Sequence, residues 1–108
     1  WMPEKPIFTD VEWSKGPESL PSVYELSQNY PNPFNPVTTI NYALPKAGKV
    51  RITIYNILGA QVATLVDRQQ AAGRYTVRFD GLQLGSGTYF YRIDAGEFHQ
   101  TKKMLLIK

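Results

Sequence analysis

At 108 residues, with 43% hydrophobic and 19% charged side chains, the chain has room for one ordinary globular core plus a tail, and none for a second domain. The absence of cysteine removes disulfides, thiolate metal sites and thiol nucleophiles, and a net charge of +3 is too small to argue for a nucleic-acid partner. No apolar run approaches the roughly 18 residues of a membrane-spanning helix.

The charge is unevenly divided, with two lysines against five acids in residues 1–25 and ten Lys or Arg against four acids in the remainder. A basic body suits an anionic surface such as a lipopolysaccharide-bearing membrane, although a plain solvated exterior accounts for it as well. The start, Trp1-Met2-Pro3-Glu4-Lys5, has neither a basic region nor an apolar signal core. Since methionine is not first, the chain is expected to be a piece of something longer.

Residues 1–22 hold Pro3, Pro6, Pro17 and Pro21 and sustain no period of 2 or 3.6, so they read as an interdomain linker. Ile7, Phe8, Val11 and Trp13 are more apolar than a free spacer needs. Packing on this domain and packing on a preceding one both stay open.

Residues 23–108 form the folded unit. From Tyr24 onward short alternating runs recur about every ten residues between turn signals, the pattern of a sandwich or barrel. Seven strands fit, beginning with Tyr24 to Gln28 before the proline-dense Tyr30-Pro31-Asn32-Pro33-Phe34-Asn35-Pro36. The second, Thr38 to Leu44, puts Ile40, Tyr42 and Leu44 on one face. The third, Lys49 to Asn56, alternates Val50, Ile52 and Ile54 with Arg51, Thr53 and Tyr55. Gly59 turns the chain into a fourth strand, Gln61 to Val66, built around Val62 and Leu65. Arg74 to Asp80 points Tyr75, Val77 and Phe79 inward. Thr88 to Asp94 is the sixth strand, and Ala95-Gly96-Glu97 closes a hairpin to the seventh, Phe98 to Ile107, with Gly96 at positive φ. β-branched and aromatic enrichment and the glycine spacing leave no helical window. The chain is therefore all-β.

Two segments stand out chemically. The prolines of Tyr30 to Pro36 fix φ, and its asparagines can cap nearby backbone, giving a stiff preformed loop. It is either a rigid crossover with Phe34 plugging one end of the core or a recognition epitope whose ordering cost is already small. In the terminal strand Met104 and Leu106 face the core, Leu105 and Ile107 face away, and Lys102, Lys103 and Lys108 bracket the run. That is either an edge guarded by lysines or a site for docking by strand addition.

Enzyme readings lack parts. His99 is the only histidine and has no triad partners, and Asp67, Asp80 and Asp94 suggest no paired acid and base. Asp94, Glu97 and His99 share a hairpin, where solvation of the turn is the simpler role than holding a cation. No catalytic residue, metal or cofactor is expected. Tyr55, Phe90 and Trp13 could present an aromatic platform to a sugar, which keeps open an accessory carbohydrate-binding or structural module of a secreted glycoside hydrolase; core packing is the commoner fate of such rings.

Leu26-Ser27-Gln28-Asn29-Tyr30-Pro31-Asn32-Pro33-Phe34-Asn35-Pro36, followed by Thr38-Thr39-Ile40, resembles the opening of the type A sorting domains of the type IX secretion system. Tyr55 to Val62, Ala72-Gly73, Phe79-Asp80, Gly85 to Ile93 and Lys102 to Lys108 agree with the family in order, from about Tyr24 to the last residue. The related immunoglobulin-like domain of flagellar hook-capping proteins shares similar motifs.

The resemblance implies a seven-stranded antiparallel immunoglobulin-like or fibronectin III-like sandwich; separately, the domain is expected to be a monomer. The resemblance also implies a domain fused behind a cargo, usually a secreted hydrolase, that folds in the periplasm and is read by an outer-membrane translocon. A sortase-like protease then removes it, as the cargo is released or joined to anionic lipopolysaccharide at the cell surface. By the same match, Tyr30, Pro31, Asn32, Pro33, Phe34, Asn35 and Pro36 fix the loop. Gly87 and Tyr89 start and anchor the sixth strand, and Lys103, Met104, Leu105, Leu106, Ile107 and Lys108 carry the terminal signal.

Overall fold

Alternation at period two, interrupted by glycine, proline and asparagine turns, divides the chain into seven strands. The computed structural model describes residues 20–108; residues 1–19 of the expected linker, with Ile7, Phe8, Val11 and Trp13, lie outside the described residues. The strands are β1 (Glu25–Leu26), β2 (Val37–Leu44), β3 (Gly48–Tyr55), β4 (Gln61–Gln70), β5 (Gly73–Asp80), β6 (Gly87–Ala95) and β7 (Phe98–Leu106). There is no helix among the described residues.

β1, β2 and β5 form one sheet in that order, and β4, β3, β6 and β7 form the other, with every ladder antiparallel. The inner faces meet as a sandwich. Ile40, Tyr42, Leu44, Tyr75, Val77 and Phe79 from the first sheet pack against Val50, Ile52, Ile54, Tyr91, Ile93 and Met104 from the second. Tyr42 and Tyr75 stack with ring centres 5.3 Å apart. Gly96 turns the β6–β7 hairpin at φ 60°, as its position requires. All these features follow the alternation, and β2, β3, β5, β6 and β7 lie within one residue of their expected bounds.

The other two strands depart from expectation for physical reasons. β4 does not stop at Val66 but continues to Gln70. Its register against β3 shifts between Ile52 and Thr53 and again between Ile54 and Tyr55, and each shift resets which side chains point inward. Val62 and Leu65, the pair around which the expected strand is built, are therefore only half-buried, while Val66 and Gln70 are buried. The polar stretch Asp67 to Gln70 is held as strand by pairing with Gly48 to Arg51 and by the Tyr42 hydroxyl, which donates to Gln70 Oε1 at 2.7 Å.

β1 is the second departure. Its ladder covers only Glu25 and Leu26, opposite Ala43 and Tyr42, yet Tyr30 pairs again with Thr39. The chain thus spends four steps from Leu26 to Tyr30 where β2 spends three from Tyr42 to Thr39, which places a bulge at Gln28–Asn29. Beyond Tyr30 the chain leaves the first sheet and crosses to the outer edge of β7 in the second, a switch of sheets at a corner of the sandwich.

Candidate functional site

A bulge leaves a backbone amide without a ladder partner, and a buried one must be satisfied elsewhere. Here the partner is Tyr91 on the facing sheet. The Asn29 amide donates to the Tyr91 hydroxyl at 2.8 Å, and that hydroxyl donates onward to the Ser27 carbonyl at 2.6 Å. Tyr91 is fully buried, and burial pushes its phenol up to about 12, only partly offset by the Asn29 amide. The hydroxyl therefore keeps its proton and its donor role at neutral pH.

The Asn29 side chain, also buried, organises the next turn. Its Nδ2 donates to Thr38 Oγ1 at 2.9 Å and to the Pro31 carbonyl at 3.1 Å, while Thr38 Oγ1 itself donates to the Pro31 carbonyl at 2.9 Å. Tyr30 and Thr39 exchange backbone bonds of 2.9 and 3.0 Å. The three X-Pro bonds of the loop, at Pro31, Pro33 and Pro36, are cis. Thus the loop is held at its root by Asn29, Thr38 and Tyr91 before its prolines begin.

From this root the loop reaches the terminal strand. Gln28 Nε2 donates to the Lys103 carbonyl at 2.7 Å, and the Leu105 amide donates to Asn32 Oδ1 at 3.0 Å. The Phe34 amide donates to the Leu105 carbonyl, and the Ile107 amide to the Phe34 carbonyl, each at 2.9 Å, forming a parallel bridge between Phe34 and Leu106. The Phe34 ring is 2% exposed and lies 6.0 Å from that of Phe79. Gly81 makes this fit possible: a Cβ there would stand 3.1 Å from Leu106 Cδ2 and 3.4 Å from Phe34 Cε2. Phe34 does plug one end of the core, and the same residue pairs with the last strand.

The predicted site residues accordingly fall into one neighbourhood with distinct parts. Asn32 and Phe34 touch β7 directly, and Pro36 closes the loop by accepting the Gly81 amide at 2.7 Å. Tyr30, Pro31, Pro33 and Asn35 are exposed. Gly87 opens β6 at φ 152° opposite Leu106, and buried Tyr89 lies opposite Met104 and donates to the Gly85 carbonyl at 2.7 Å. Met104 and Leu106 are in the core, whereas Leu105 and Ile107 are 39% and 47% exposed, matching the expected split. Lys103 is exposed. Lys108 anchors the end, its amide on Ser86 Oγ at 3.0 Å and its Nζ on the Leu82 carbonyl at 2.6 Å.

Gln28, Asn29, Thr38, Gly81 and Tyr91 were not predicted as site residues. Tyr91 shares its inward phase with Tyr89 and Ile93, so periodicity marks it as core but not as the hydroxyl that holds the bulge. Nothing local in the sequence announces a bulge at Gln28–Asn29.

The other candidate clusters resolve simply. Asp94 Oδ1 is engaged by Arg92 Nε at 2.9 Å and His99 Nδ1 at 2.6 Å. Burial would raise the Asp94 carboxyl, but these two partners outweigh it and hold the group below its ordinary value. Among the described residues no group of three or more His, Asp or Glu side chains is placed to hold a metal ion. Tyr55 and Phe90 lie opposite one another on the outer face of the four-stranded sheet, both half-buried. Phe90 thus escapes the core packing that is the commoner fate of such rings, because it points away from the sandwich interior.

A comparison with curated proteins finds no match. The family model described as the secretion system C-terminal sorting domain matches residues 28–108. That match spans the bulge, the proline loop and the strands from β2 to β7 together, and the chain belongs to the family of type IX secretion system C-terminal sorting domains.

Proposed function

We propose that this domain is a non-catalytic export signal whose read surface is the proline loop together with the exposed side of the terminal strand. It travels behind an N-terminal cargo, a secreted hydrolase being the expected kind, and folds in the periplasm. The outer-membrane translocon recognises it there, and a sortase-like protease then separates it from the cargo, which is released or joined to anionic lipopolysaccharide at the cell surface. The observation that supports this reading most is the joining of Asn32 and Phe34 to Leu105 and Ile107, which turns two segments some 70 residues apart into one contiguous patch. Leu105, Ile107 and Lys103 project from that patch with their side chains unburied.

The test fuses residues 22–108 to a periplasmic reporter in a bacterium that carries the system. The reporter is expected at the cell surface, and deletion of Lys103 to Lys108 is expected to abolish display. Equal display after the deletion would overturn the proposal.

A second reading draws on the pairing of Tyr55 with Phe90 on an outward face, an arrangement on which a sugar ring could stack. It predicts saturable retention on insoluble polysaccharide that is lost in Tyr55→Ala or Phe90→Ala. No retention by the intact chain would remove it.

A further inference from the structure

In an antiparallel ladder the amide and carbonyl of one residue point to the same side of the strand, and the next residue points to the other. Leu105 uses both of its groups on the loop, so Lys103, Leu105 and Ile107 direct theirs away from β6, along the outer edge of β7. His99 and Thr101 continue that edge in the same phase. An edge of this kind is a template for another strand.

What occupies the Lys103–Ile107 part of it is a substitute for a strand rather than a regular one. Only Phe34 pairs through its backbone. On the rest of the edge a side-chain oxygen, Asn32 Oδ1, stands where a strand's carbonyl would accept, and a side-chain nitrogen, Gln28 Nε2, stands where a strand's amide would donate. The substitute runs parallel to β7, and its one buried ring, that of Phe34, fills a seat made by Phe79, Leu106 and the bare backbone of Gly81. Tyr30, Pro31, Asn32 and Pro33 present their outer sides to solvent.

We propose that the Gln28–Phe34 segment is an internal stand-in for a partner strand. It holds the docking edge of β7 closed until an extended segment of the export apparatus takes its place. The incoming segment runs parallel to β7, pairs with Lys103, Leu105 and Ile107 through its backbone, and places an aromatic side chain in the seat of Phe34. The same contacts keep the edge from pairing with other chains before then. This inference rests on the reading of the loop and β7 together as the export signal: the joined patch is the closed form that the apparatus meets first, and parting the loop from β7 is the step that follows.

The test uses the full 108-residue chain and a synthetic peptide with the sequence of Gln28 to Pro36 as the probe. Hydrogen exchange followed by NMR is expected to show the Leu105 and Ile107 amides protected, and Asn32→Ala to accelerate Leu105 while leaving core amides such as Ile93 unchanged. Apparent affinity scales with the fraction of molecules whose edge is open, so the peptide is expected to bind Asn32→Ala about tenfold more tightly than the unaltered chain. Its shifts should be confined to the edge residues 103–107, to residues 28–36 that it displaces and to Phe79 and Gly81 around the vacated seat, and a peptide with alanine at the Phe34 position should fail to bind.

Equal affinity for both chains, or shifts elsewhere on the sandwich, would overturn the proposal, as would Leu105 and Ile107 amides that exchange freely in the unaltered chain. A Phe34→Ala chain that still folds should bind the peptide more tightly again; if it does not fold, Asn32→Ala carries the test alone. Surface display separates the two readings. Display that survives removal of Lys103 to Lys108 defeats β7 as docking strand, whereas display that depends on those residues, with a peptide that ignores the edge, defeats the stand-in alone.

Discussion

Tyr91→Phe removes one oxygen and so isolates the bond that holds the bulge. The hydroxyl accepts the Asn29 amide and donates to the Ser27 carbonyl, and Asn29 is 2% exposed, so no water is at hand to replace it. A buried amide left without a partner costs about 1–3 kcal/mol. The Ser27 carbonyl is half-buried and can recover a bond with solvent, so its share is smaller, about 0.5–1 kcal/mol. The expected loss is therefore about 2–3 kcal/mol, a large part of the roughly 5–15 kcal/mol that stabilises a domain. With a urea m-value of about 1–2 kcal/mol per molar, the unfolding midpoint should fall by about 1–3 M without a change in slope. Hydrogen exchange at Leu105 should quicken in the same variant, because the loop root and its β7 contacts are one network. A loss below about 0.5 kcal/mol, the scatter of an ordinary surface substitution, would show that the Tyr91 hydroxyl does not hold the bulge.

Two further predictions rest on the same corner and the same hydroxyls. Gly81→Ala brings a methyl to 3.1 Å from Leu106 and 3.4 Å from Phe34, both buried, and should cost about 1–3 kcal/mol in a thermal melt; an unchanged or raised midpoint would show that the seat of Phe34 is loose. Burial pushes the phenols of both Tyr42 and Tyr91 up to about 12 in the folded chain, against 10 for the unfolded one. Their contribution is fully present below pH 10 and is lost as pH rises from 10 to 12, on the order of 2–3 kcal/mol for each phenol. Urea titrations across that range should show the decline, with a shallower slope in Tyr91→Phe; a flat profile would contradict it.

Most of the fold is legible in the sequence because one-sided burial forces period two. Val50, Ile52 and Ile54, or Tyr75, Val77 and Phe79, can sit only one way once their strand is half-covered. Legibility fails where the register slips. The shifts opposite Thr53 and Tyr55 reset the inward phase of β4, so Val62 and Leu65 mislead and Gln70 is hidden by its polarity. The bulge at Gln28–Asn29 fails for the same reason.

The candidate site divides likewise. Composition marks the proline loop and the sticky terminal strand as unusual, each by itself. Their contact, across 73 residues between Asn32 and Leu105, leaves no local trace, since long-range pairing is decided by how two sheets close on one another. The structure therefore changes the terminal strand from an edge awaiting cover into an edge already covered, and it gives the loop a reason to be stiff.

The most direct measurement is surface display of a reporter fused to residues 22–108 carrying Leu105→Asp and Ile107→Asp. Both side chains lie outside the core, so the sandwich should keep its stability within about 0.5 kcal/mol. The expected result is a folded domain whose reporter stays behind in the periplasm. A folded domain with that charged patch displayed as efficiently as the unaltered one would contradict the claim that the loop and terminal strand form the export signal.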